Sequence, residues 1–184
     1  MDRLKRDVIL IRLTEALLDQ GSWCGETHLQ KATFFLQEMV GAKTGFPFIL
    51  YKHGPFSFEL RDELTAMRAD GMIGFRIQAA EYGPSIVPES GADSLKQRFP
   101  KTLRLHEPLI QFVASRFQKK PVVELERLGT ALYVLRELGR GANEATCVQR
   151  IRHLKPHIAV DQANDAVRTV KEWQKEAEKL AVPA

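Results

Sequence analysis

The chain has 184 residues, 44% of them hydrophobic and 27% charged, with 12 glycines and 9 prolines. That length and balance suit one compact globular unit, or two small ones sharing a core, and exclude a collagenous or wholly disordered polypeptide. A formal net charge of +4 and a pI near 9.1 raise the question of a polyanionic partner, which the placement of charge along the chain has to answer.

Residues 4–20 carry Val8, Ile9, Leu13, Ala16 and Leu17 at helical spacing, and Gly21 supplies a stop. After a polar turn, Thr27 opens a second helix, His28 to about Val40, closed by Gly41. Its residues Leu29, Ala32, Phe34, Phe35, Leu36, Met39 and Val40 cover so wide an arc that burial on more than one side is expected. The aromatic and branched run Phe46–Tyr51 reads as a strand broken by Gly54-Pro55. Ser57 is a fitting N-cap for a helix Phe58–Asp70, which Gly71 ends. Strands over 72–78 and 82–88 flank a turn at Ala79-Ala80-Glu81. Beyond the breaker-rich stretch 88–94 the pattern is helical: a short piece at 94–99, then 107–118, 121–138, about 143–154 and about 160–180. The expected fold class is mainly α with a small antiparallel sheet. A winged-helix-like module over 1–88 packs on a helical bundle extension over 95–184, with one core between them.

The first apolar run, Val8–Ile11, stops at Arg12, too short for a signal-peptide core, and no segment approaches the roughly 20 apolar residues of a membrane span. Two isolated cysteines, Cys24 and Cys147, make no disulfide framework. The expected setting is the cytoplasm, away from membrane.

Residues 1–90 hold 10 Lys+Arg against 12 Asp+Glu, and residues 91–184 hold 17 against 11, so the basic excess lies wholly in the helical half. The third helix of a winged-helix DNA reader normally enters the major groove. Here it carries Arg61 and Arg68 against Glu59, Asp62, Glu63 and Asp70, which disfavours groove reading. Later basic residues form short blocks: Lys96, Arg98, Lys101 and Arg104; Arg116, Lys119 and Lys120; Arg150, Arg152 and Lys155. They either make a nucleic-acid surface, if the fold gathers them, or are solvated faces balanced by acids.

His153 and His157 have the four-residue spacing of two zinc ligands on a helix, with Cys147 upstream, but Pro156 intervenes and no fourth ligand follows. No metal is expected. Cys24, in a loop just before a helix, has the position of a thiol nucleophile with His28 and His53 as candidate bases, but nothing fixes their geometry and the leading reading is a small residue packing under Trp23. With no dinucleotide, phosphate-loop or serine-elbow motif, no cofactor is expected. The most specified stretch is Tyr51-Lys52-His53-Gly54-Pro55-Phe56-Ser57, where aromatic and basic groups sit on a rigid turn. It is either a recognition element or a staple of large apolar side chains to the core.

This stretch also carries a resemblance. Leu29-Gln30-Lys31 followed by Phe34 and Phe35, then Tyr51 to Leu60, and the hydrophobic helix end Leu64–Ile73 resemble the uncharacterised bacterial YwgA-like proteins. More distantly they resemble the Panacea (SocA-like) antitoxin domains. The family's Tyr-Gly-Pro-Tyr-Ser-x-Glu-Leu motif is met with His53 in place of the aromatic and Phe56 in place of the second tyrosine. The resemblance implies a compact, winged-helix-like, mostly helical fold. It also implies toxin neutralisation or adaptor work through protein contacts.

The expected function is thus a non-enzymatic regulatory or protein-interaction module of the bacterial cytoplasm, with a toxin or phage-defence component as partner. Its expected surface is Gln30, Lys31, Lys52, His53, Phe56 and Ser57. A second surface is the last helix, where Val160, Ala163, Val167, Val170 and Ala177, beside Trp173 and Leu180, support either internal packing or self-association. Two alternatives stand beside this reading. One is a DNA- or RNA-binding regulator using Lys96, Arg98, Lys101, Arg104, Arg150, Arg152 and Lys155; the other is an enzyme with Cys24 as nucleophile.

Overall fold

A computed structural model describes residues 1–77, 83–139 and 141–180. Its helices are α1 (Arg3–Asp19), α2 (Glu26–Glu38), α3 (Phe58–Ala69), α4 (Ser90–Arg98), α5 (Pro100–Arg116), α6 (Val122–Leu138), α7 (Glu144–Leu154) and α8 (Val160–Ala177). Its strands are β1 (Ile49–Tyr51), β2 (Gly54–Phe56), β3 (Ile73–Arg76) and β4 (Ser85–Pro88). The fold is mainly α, and its strands form two separate antiparallel hairpins rather than one small sheet. Ile49 faces Phe56 and Tyr51 faces Gly54 in the first; Ile73 faces Pro88 and Arg76 faces Ser85 in the second.

The arc of apolar residues on α2 is buried as its width demands. Every residue from His28 to Leu36 is inside, because α1, α5, α6 and β2 all pack against this helix. Helix α1 starts at Asp2, whose carboxylate accepts from the Leu4 amide at 3.0 Å, and it lies along α5. Residues Leu109, Ile110, Val113 and Phe117 from the second half thereby join Val8, Leu13, Leu29 and Phe35 from the first in one hydrophobic cluster. Phe35 links three elements through edge-to-face contacts with Phe117 at 5.3 Å and Trp173 at 5.9 Å.

Several expectations change. The strand over 46–51 shortens to 49–51, and Gly54-Pro55 does not merely break it. With a φ of +85° Gly54 turns the chain at Lys52-His53 into a return strand. Helix α5 begins at Pro100 rather than near 107, because proline suits a first helical turn, and the exposed Pro108 lies within it. The turn expected at 79–81, with Gln78 and Tyr82, lies outside the described residues, as does Arg140. The apolar side of α8 is used inside the chain: Ala163, Ala166, Val167, Val170 and Ala177 are buried where α8 packs on α6 and α7, while Val160 stays exposed.

One glycine decides how the first hairpin seats. A Cβ on Gly129, in the middle of α6, would lie 2.9 Å from Pro55 Cδ, and the proline ring cannot swing away. Gly→Ala in a helix ordinarily stabilises by up to about 1 kcal/mol. Here Gly129→Ala is expected to destabilise by about 1–3 kcal/mol through overpacking, read as a lower urea midpoint.

Candidate functional site

Helix α2 fastens the segment leading into α3 with two side-chain amides. Gln30 Nε2 donates to the Ser57 carbonyl at 2.9 Å, and the Ser57 amide donates to Gln30 Oε1 at 2.9 Å. Two turns further on, Gln37 Oε1 accepts from the Phe46 amide at 2.9 Å and from Thr44 Oγ1 at 2.6 Å, while its Nε2 donates to the Phe46 carbonyl at 3.0 Å. Each glutamine thus supplies the donor and acceptor that a neighbouring strand would otherwise provide. Ser57, also fully buried, caps α3 by accepting from the Leu60 amide at 3.2 Å. Gln30 and Ser57 were expected at the recognition surface; both have 0% exposure and act as framework.

A charged cluster underlies the hairpin tip. Lys31 is also placed inside rather than at the surface: it is 1% exposed, with its stem against the backbone of Gly54 and Gly129. It donates no hydrogen bond among the described residues. Burial pushes its amine down to about 8, opposed by the nearby Glu126 carboxylate and assisted by Lys155. Lys155, at the end of α7, donates to the Tyr51 carbonyl at 2.6 Å and also to the Lys52 carbonyl. Its Nζ lies 3.4 Å from Glu126 Oε1. His157 Nε2 stands 3.3 Å from the same oxygen, and His53 Nδ1 lies 3.8 Å from Oε2. Four basic side chains from α2, the hairpin, α7 and the loop after it therefore surround one buried carboxylate. Oε1 nevertheless accepts no well-aligned hydrogen bond.

Above this cluster the hairpin presents an apolar face. Ile49 and Tyr51 lie two residues apart on β1, Phe56 lies opposite Ile49, and Phe58 opens α3. Tyr51, Phe56 and Phe58 pack mutually, with ring centroids 5.1–5.7 Å apart, and the Arg61 guanidinium lies 5.1 Å from the Phe58 centroid. Despite that packing, Ile49, Tyr51 and Phe58 are 47%, 44% and 41% exposed. Lys52 and His53, at the tip, are exposed as expected, and Phe56 is half-buried. The segment is both staple and surface: Pro55, Gly54 and Ser57 fasten it, while the alternate residues face outward. Ile49, Tyr51 and Phe58 were not named in the expected surface, Tyr51 having been weighed between recognition and stapling. The period-two alternation of β1 could have found the first two.

The other candidates do not assemble. Cys24 is fully buried, its Sγ 3.9 Å from the Thr14 carbonyl, and burial pushes its thiol up to about 12, the reverse of what a nucleophile needs. His28 Nε2 contacts the Lys120 carbonyl at 3.3 Å, and His53 sits by Glu126, so no hydrogen bond joins this thiol to either imidazole among the described residues. No group of three or more His, Cys, Asp or Glu side chains able to hold a metal ion occurs among them. Of the seven basic residues considered for nucleic acid, Lys96 pairs with Glu15 and Asp93, Arg150 pairs with Glu137, and Lys155 is buried. Arg98, Lys101, Arg104 and Arg152 remain exposed.

No helix among the described residues is long and apolar enough to cross a membrane. No protein-family model and no curated protein matches the chain. The resemblance to YwgA-like proteins therefore rests on the residues that carry it.

The cluster has opposite sensitivities at its two ends. Lys31→Met removes a charge that burial penalises, so it should be neutral or up to about 3 kcal/mol stabilising at neutral pH. Glu126→Gln leaves Lys31 and Lys155 buried without their counter-charge and should cost about 3–5 kcal/mol. Because the folded amine titrates near 8, below the ordinary ~10.4 of lysine, the unfolded chain binds more protons between those values. Wild-type stability should therefore rise across that interval, and the rise should be absent in Lys31→Met, as measured by urea unfolding against pH.

Proposed function

We propose that this chain is a non-enzymatic protein-interaction module whose docking element is the β1–β2 hairpin with the first turn of α3. The observation that carries this reading is the exposure of Ile49, Tyr51 and Phe58 on a segment held rigid from beneath by Gln30, Pro55 and Lys155. Large apolar groups kept at the surface of a fastened element are what a protein interface uses as anchors, since little ordering entropy is lost on docking.

The ring geometry favours a protein over single-stranded nucleic acid. Tyr51 and Phe56 each meet Phe58 edge to face, and Arg61 lies against the Phe58 ring, so the ring faces a base would stack on are partly occupied. The acidic residues Glu59 and Asp62 on the same turn of α3 would also repel phosphate. The resemblance to YwgA-like and Panacea proteins points to a bacterial cytoplasmic setting, with toxin neutralisation or phage-defence accessory work as the role. Lys52 and His53 supply the polar rim of the proposed interface.

Tyr51→Ala and Phe58→Ala are expected to cost about 1–3 kcal/mol of folding stability, from the two ring contacts each loses, and to leave the chain folded. Each should weaken partner binding by about 2 kcal/mol, some thirtyfold in Kd. Quantitative affinity capture from source-cell extract, comparing tagged wild type with each variant, tests this reading. Loss of the wild-type partner is the expected result, and an unchanged partner set would overturn it.

A further inference from the structure

Where α1 meets α3, four charges balance and a fifth group is left over. Arg3 Nε donates to Glu63 Oε1 at 2.7 Å, and Arg6 Nη2 donates to Glu63 Oε2 at 2.7 Å. Arg3 also reaches Asp70 Oδ2 at 3.3 Å. Two guanidiniums thus meet two carboxylates. Asp7, one turn along α1 from Arg3, is the fifth. It has 0% exposure, and neither of its carboxylate oxygens accepts a hydrogen bond from any donor among the described residues. Arg3 Nε stands 3.8 Å from Oδ2, an ion-pair distance but not a hydrogen bond. The Arg6 guanidinium lies 4.6 Å from the Phe46 ring centroid, and its Nε is unpartnered.

Asp7 and Glu63 instead share the Arg3 Nε, which stands 3.8 Å from Asp7 Oδ2 and 2.7 Å from Glu63 Oε1, so the two carboxylates are set side by side. Two ionised carboxylates in that position would repel, and the Asp7 charge would be buried with no donor to stabilise it. A proton on Asp7 removes both difficulties and turns the contact into an O–H···O hydrogen bond, leaving Glu63 as the ionised partner of the two arginines. We infer that Asp7 is held as a neutral acid that donates its proton to Glu63, forming a pH-sensitive clasp between α1 and α3. The helix so held is the one that carries Phe58.

The charged groups acting on Asp7 are Glu63 from α3 and Arg3 and Arg6 from α1 itself. The other elements packed on α1, namely α2, α4, α5 and β4, bring no titratable group into ion-pair contact with Asp7 among the described residues. Burial first, and the Glu63 charge second, push the Asp7 carboxyl up to about 7. The unfolded chain titrates near the ordinary ~3.9. Between those values the folded state binds the extra proton, so stability falls as pH rises from about 4 to 7 and the loss is complete above that. This window lies below the one in which Lys31 titrates.

The experiment compares the full chain with Asp7→Asn, whose amide keeps a donor facing Glu63 without the charge. Urea unfolding of both proteins at about pH 5 and about pH 8 isolates Asp7 from other titrating groups. The ratio of their unfolding constants is expected to change by roughly 100-fold, with wild type the relatively weaker at the higher pH. A carbon-13 titration of the Asp7 carboxyl in wild type should show a midpoint near 7. A midpoint in the ordinary carboxylate range, or a ratio that does not move with pH, would overturn the inference. If Asp7→Asn fails to fold, the carboxyl titration of wild type decides alone.

Discussion

Lys155 reaches from the end of α7 to the carbonyls of Tyr51 and Lys52, and the exposed face of the first hairpin depends on that reach. Two strands of three residues cannot hold themselves together in water. This pair is ordered because its backbone is engaged from outside. Gln30 engages Ser57 beyond the return strand, Gln37 engages Phe46 before the outgoing one, Pro55 seats on Gly129, and Lys155 closes the tip. With those fastenings made below, the outward residues of the hairpin are free of any duty to the core. That freedom is what allows two aromatic rings and an isoleucine to remain on the surface.

The fastenings use polar and charged groups where an apolar core would be cheaper. Lys31, Glu126 and Lys155 lie together under the hairpin with a net positive charge, and a buried ammonium without a hydrogen-bond acceptor is a cost to folding. The carboxyl of Asp7, buried where α1 meets α3, adds a further cost. Helix α3 is therefore bordered at its first turn by a segment held through buried cations, and along its length by a buried acid. Such groups specify one seating for the helix and hairpin, because a displaced arrangement would strip the buried cations and the buried acid of the polar groups that face them.

Chemistry is the other use to which buried ionisable groups are put, and Cys24 is not set up for it. The cysteine best placed in sequence is sealed beneath the surface with its thiol pushed well above the physiological range, and the two candidate bases, His28 and His53, contact the Lys120 carbonyl and Glu126 instead. Lys31 has a lowered amine but is almost entirely covered. What reaches solvent at the hairpin is Ile49, Tyr51 and Phe58, with Lys52 and His53 at the tip.

Most helices were legible from the chain alone, because the spacing of Val8 to Leu17, Leu29 to Val40 and Val160 to Ala177 and their glycine or proline stops are local properties. The mainly α class and the acidic character of the third helix followed from the same local reading. Tertiary structure alone decided which side of the segment 51–57 faces out. Polarity suggested that Gln30, Lys31 and Ser57 belong to the surface, but their partners are backbone groups and a carboxylate 27 to 95 residues away in sequence. Likewise the rings of Tyr51 and Phe58 look like core residues until the hairpin register and the packing of Pro55 on Gly129 turn them outward. The sequence determined the elements, since propensity and periodicity act between near neighbours. The tertiary structure determined which polar groups found buried partners, since that depends on chain segments meeting in space.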